Sequence, residues 1–104
     1  MTNCLFCKFA SHVLQKDFEF EDEDVMVFKD IHPIRPVHLL IVPKVHIPTF
    51  SHLEDDALWG KIRKTIQDMV KKHSLEGKGY RVFLNAGGAQ EIDHLHVHLT
   101  GPWK

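Results

Sequence analysis

The chain has 104 residues, 43% of them hydrophobic and 26% charged, with a formal charge of −1 at pH 7, which fits one ordinary globular domain. Thirteen basic residues are interspersed with fourteen acidic ones, so composition argues against nucleic acid as the partner and leaves room for small anionic ligands. No run approaches the ~20 apolar residues that span a bilayer, and Met1-Thr2-Asn3-Cys4 is not the start of a secretion signal; the expectation is a cytoplasmic protein without a structural disulfide. A domain this small builds a modest core, which favours reinforcement by a metal site or a dimer interface.

Residues 4–14 place Leu5, Phe6, Phe9, Val13 and Leu14 at helical intervals and predict a short opening helix. Phe18 and Phe20 alternate with acidic neighbours, Glu21 to Asp24 supply a turn, and Val25-Met26-Val27-Phe28 is apolar, a hairpin pattern. Two prolines keep 30–36 irregular before the apolar run 37–43, a buried strand interrupted by His38. Ser51 and Glu54 have capping-box spacing, and Leu58, Ile62, Ile66, Met69, Val70 and His73 recur every three or four residues, predicting one amphipathic helix over 52–74. Lys71 and Lys72 suit its negative end, and Gly77 stops it. Residues 79–85 predict a strand, 86–90 a glycine-bearing loop, and 92–99 a last strand. Strands joined by short loops favour an antiparallel α+β sheet over βαβ repeats.

That last strand reads His94-Leu95-His96-Val97-His98-Leu99. Side chains alternate between the faces of a strand, so the three imidazoles share one face, displayed, while the apolar residues anchor the other. At about 3.3 Å per residue, His94 and His98 stand roughly 13 Å apart, too far to share one zinc through bonds of about 2 Å. The histidines must divide their labour. Cys4-x-x-Cys7 fits either two buried thiols at a helix start or half of a tetrahedral zinc site whose other ligands come from the nine histidines. His38 by itself reads as a hydrogen-bonded core residue, Asn85 as a turn residue, and Trp59 and Trp103 as core or interface groups.

The pattern HLHVHLT is similar to the His-φ-His-φ-His-φ-φ signature of the histidine triad family, where φ is apolar. CLFCK, EDEDVMVF, DIHPIRPVHLLIVPKVHI and GYRVFLN…GGAQEIDHLHVHLTG extend the likeness along most of the chain to the bacterial Hint-like branch, whose members act on purine nucleoside phosphoramidates. This resemblance implies a five-stranded antiparallel sheet with one long and one short helix. It makes His96 the nucleophile toward the α-phosphorus of a purine nucleotide substrate, His98 the donor to phosphate oxygens, and His38 and Asn85 orienting groups. Asp30 would accept from the ribose hydroxyls and Phe28, Ile31 and Leu14 would wall the base pocket, with Gln90 and Glu91 at the phosphate end. Cys4, Cys7, His46 and His94 would hold a structural zinc, with no metal in the chemical step, and the chain would form a homodimer through the long helix and the strand after it.

Three departures from the family accompany the likeness. The Asn85–Gln90 loop is about two residues shorter than NxGxxGGQ, Glu91 stands where many members have Ser or Thr, and the triad is followed closely by the ending Gly101-Pro102-Trp103-Lys104. Two other readings remain at this point: hydrolysis of a dinucleoside polyphosphate, and a nucleotide-binding or zinc-stabilised interaction protein with vestigial activity. A third, a metalloenzyme using the triad as a metal site, predicts sensitivity to chelators.

Overall fold

The computed structural model describes residues 3–104. Helix α1 spans Leu5–Ala10 and is followed by strands β1 (Phe20–Glu21), β2 (Val25–Lys29) and β3 (Val37–Pro43). A 3-10 turn at Phe50–His52 precedes helix α2 (Asp56–Lys72), and β4 (Arg81–Phe83) and β5 (Val97–Gly101) complete the chain. The five strands form one antiparallel sheet in the order β1-β2-β3-β5-β4. The α+β architecture with one long and one short helix is as expected. Among the described residues no helix is long and apolar enough to cross a membrane.

The apolar runs Val25–Phe28 and Leu39–Val42 have a direct cause: both faces of the sheet are covered. Val25, Val27, Leu39 and Ile41 pack with Leu95, Val97, Leu99 and the buried stripe of α2 (Leu58, Ile62, Ile66, Met69, Val70). The alternate residues Met26, Phe28, Leu40 and Val42 pack on the other face with Phe6 and Phe9 of α1. His38 shares the parity of Leu40 and Val42, so the one polar residue in the strand points to the α1 face.

Several boundaries differ from expectation, and β4 spans only Arg81–Phe83 of the expected 79–85. Helix α1 is six residues long, because His12 adopts a left-handed backbone (φ 62) just after the Ser11 cap. Helix α2 starts later than the spacing of Ser51 and Glu54 suggested: Asp55 is its N-cap and accepts from the Leu58 N–H at 3.0 Å. Ser51 lies instead in the 3-10 turn, separated from α2 by Leu53 in an extended conformation. The last strand begins at Val97, not residue 92. Its ladder with β3 ends at Ile41↔Val97. Beyond that pair the Leu95 N–H donates to the Ile47 carbonyl and His94 Nε2 bonds the Pro43 carbonyl, so His94 and His96 sit in an irregular approach to β5.

Candidate active site

The three triad histidines share the face opposite Leu95, Val97 and Leu99, as their spacing implied, although two of them are covered rather than displayed. His94 is 0% and His96 6% exposed. Phe6 lies edge-on to both rings, with centroid distances of 5.8 and 5.2 Å. Leu95, Val97 and Leu99 enter the opposite core.

Backbone contacts assign the tautomers of His96 and His38, and His38 in turn assigns that of His98. His96 Nδ1 donates to the His94 carbonyl at 2.8 Å, which leaves the Nε2 of a neutral His96 as a free lone pair. His38 Nδ1 accepts the Ile34 N–H at 3.2 Å, so the neutral ring carries its proton on Nε2. That proton faces His98 Nδ1 at 2.9 Å, with Asp30 Oδ2 3.4 Å from the same nitrogen of His38. Burial, reinforced by His96 and His38 nearby, pulls the His98 imidazole down to about 4, so it is neutral at pH 7. With Nδ1 accepting, the proton of His98 lies on Nε2, and this buried atom has no hydrogen-bond partner. A buried donor without a partner is costly, and is readily understood as a donor awaiting a ligand. Phe83, paired with His98 across β4 and β5, stacks on the His98 ring at 4.5 Å and 4° and fixes its plane.

These rings open on a cavity of ≈ 550 Å³ that also receives Asp30, Phe28, Ile31, Asn85 and Glu91. Asp30 is held by the His32 N–H, which donates to its Oδ1 at 2.8 Å. Of the residues that the resemblance implied for this site, Leu14 and Gln90 are not in the cavity wall. Gln90 is buried and spends its side-chain amide inside the loop, accepting from the Gly88 N–H and donating to the Pro48 carbonyl at 2.8 Å. Phe6, Phe9, Phe83 and Lys16 line the cavity without having been expected there. Helical spacing marked Phe6 and Phe9 as core, which is correct and incomplete. The register of Phe83 against His98 exists only once β4 pairs with β5.

On the far side of His96 from β5, four ligand atoms of Cys4, Cys7, His46 and His94 lie within 4.8 Å of one another. His94 Nδ1 is 3.3 Å from Cys4 Sγ, 3.5 Å from Cys7 Sγ and 3.2 Å from His46 Nδ1, and Cys7 Sγ is 3.2 Å from His46 Nδ1. His94 Nε2–H donates to the Pro43 carbonyl at 2.7 Å and burial pulls the ring down to about 4, so the Nδ1 lone pair points into the cluster. Burial beside Cys4 pushes the Cys7 thiol up to about 11. Tetrahedral bonds of about 2.0–2.3 Å put neighbouring ligand atoms roughly 3.3–3.7 Å apart, so this donor set fits a metal such as zinc. Asp30, His38 and His98 also converge closely enough to hold an ion.

Residues 3–103 match the family model described as "Scavenger mRNA decapping enzyme C-term binding". Protein HitA of Neisseria gonorrhoeae is 38% identical over 105 residues, covering 97% of each chain. The chain belongs to the histidine triad family. Its relatives place it on the bacterial Hint-like branch: the purine nucleoside phosphoramidase of Escherichia coli K12 is 31% identical over 93% of this chain and 85% of that protein. A histidine triad family hydrolase from Legionella pneumophila superposes with a TM-score of 0.92 at 39% identity, covering 98% of this chain and 95% of the other. A histidine triad protein from Clostridium difficile superposes equally well, at 32% identity and with 100% and 94% coverage.

Proposed function

We propose that this histidine triad protein is a purine nucleoside phosphoramidase that works through a nucleotidyl-His96 intermediate. One observation carries the reading: the Nε2 lone pair of His96 and the unpartnered Nε2–H of His98 belong to one cavity, a nucleophile beside a donor. In the first step His96 Nε2 bonds the α-phosphorus as the P–N bond to the leaving amine breaks, and the amine departs with a proton from the Glu91 carboxyl at the cavity wall. In the second step a water oxygen bonds the phosphorus, the phosphorus–His96 bond breaks, and the water proton returns to Glu91. His98 donates to the phosphoryl oxygens as charge develops on them, and His38 holds the His98 tautomer. Asp30 accepts from the ribose, Phe28 and Ile31 cover the base, and Asn85 closes the phosphate end.

The Cys4, Cys7, His46 and His94 site holds zinc in a structural role, since all four positions are filled by protein. The zinc would supply a cross-link and no reacting group. Exposed Phe50, Trp59, Tyr80 and Val82, on and around α2 and the β4 edge of the sheet, support a homodimer through those elements.

Acid-quenched enzyme incubated with an adenosine or guanosine phosphoramidate should carry nucleotide on a histidine, and His96→Ala should bind nucleotide without turnover. A diadenosine polyphosphate run in parallel tests the other leaving group. Nucleotide binding without an adduct or turnover would instead identify a binding protein with vestigial chemistry. Loss of turnover with chelator and its return with added metal would favour a metal-dependent triad.

A further inference from the structure

We infer that Lys16 selects among purines, favouring bases with an oxygen at position 6 over adenine. The inference rests on the nucleotide reading of the cavity. Within that cavity His38, His96 and His98 lie against one another and Asp30 follows the end of β2, while Phe9 and Phe28 pack edge to face as an aromatic wall. The Lys16 ammonium lies against that wall, 5.2 Å from the Phe28 ring centroid and 5.4 Å from that of Phe9. The ring faces attract the cation, but they do not neutralise it. Among the described residues no carboxylate lies within 4.0 Å of its nitrogen, whereas Lys44, Lys61, Lys64 and Lys72 each have one. The other lysine of the cavity, Lys29, has the β2 parity of Val25 and Val27 and lends its charge to Glu19. Lys16 is therefore the partly buried cation without an acidic partner beside the surface on which a base would stack.

An ammonium is donor-only. Guanine and hypoxanthine present two acceptors, O6 and N7, along one edge, and adenine presents N7 beside an amino donor. A base resting on Phe28 displaces the ammonium from the ring face toward the purine edge, where O6 and N7 replace the lost ring contact. With adenine the same ammonium finds N7 alone, beside an amino donor that opposes it, and recovers less of the solvation it loses. Inosine separates this contact from any contact with the 2-amino group, because it shares O6 and N7 with guanosine and lacks that amine.

The test measures equilibrium binding of guanosine, inosine and adenosine 5′-monophosphates, together with turnover of the three phosphoramidates, for wild type and Lys16→Met. We expect the two 6-oxo nucleotides to bind about tenfold or more tightly than adenosine monophosphate, a ratio that falls toward one in Lys16→Met. Equal binding of the three by wild type, or a preference that survives Lys16→Met, would overturn the role of Lys16. Binding is read independently of turnover, so a preference without any phosphoramidate turnover would overturn the enzymatic reading and leave the base selection standing.

Discussion

At the scale of single residues the site depends on where protons are held. His98 is useful because His38 occupies its Nδ1, which sends its one proton to the buried Nε2. His98→Ala should lower kcat by 10²–10³ with a smaller effect on nucleotide binding, as expected when a donor aimed at developing charge is removed. Single-turnover kinetics would measure it; an unchanged kcat would contradict the role. The same burial leaves a mark on stability. The folded His98 titrates near 4 against an ordinary value of 6.5, so below pH 6.5 the unfolded chain takes up a proton that the folded chain refuses. This contribution is complete above pH 6.5 and is lost as the pH falls through 6.5 toward 4. The melting temperature should therefore fall over that interval, and the slope should be shallower in His98→Asn.

Among the elements, α2 shows how a sequence signal can be valid in kind and misplaced in position. Its apolar period identified every buried residue of the stripe except Thr65, whose hydroxyl is satisfied by the Lys61 carbonyl at 2.7 Å. The cap was misplaced because Ser51, Glu54 and Asp55 all have side chains able to serve a helix start, and the chain between Pro48 and Leu53 decides among them. It forms a 3-10 turn, with Thr49 receiving the Gly87 N–H at 2.8 Å, which commits this segment to the glycine loop rather than to α2. Asp55→Ala should therefore cost about 1 kcal/mol in chemical denaturation, and Ser51→Ala no more than a few tenths. Equal costs would contradict the assignment of the cap.

At the scale of the whole molecule, the four-ligand cluster joins α1, the loop after β3 and the approach to β5, three segments distant in sequence. Protein purified without added metal should contain one zinc per chain by elemental analysis. Its removal should lower the melting temperature sharply, because a cation bound only in the folded state adds its binding energy to folding. Zinc-free protein with unchanged stability would exclude the structural role. Light scattering at micromolar concentration should report twice the 12.1 kDa chain mass, and a stable monomer would exclude the dimer.

By itself the sequence determined the fold class, the sharing of one face by the histidines and the family, because periodicity and motif spacing are properties of neighbours along the chain. Placement of the sites belonged to the tertiary structure. His38 meets His98 across 60 residues, and Cys4 meets His94 across 90. Gln90 turned inward because a buried amide must be satisfied by whatever lies beside it, here the Pro48 carbonyl and the Gly88 N–H. Lys16 carries no pattern of its own in the sequence, and only the fold sets it against the aromatic wall of Phe9 and Phe28. Tautomers, orphaned donors and unpartnered cations depend on distances between remote residues, and those distances are set only when the sheet registers and both helices pack against it.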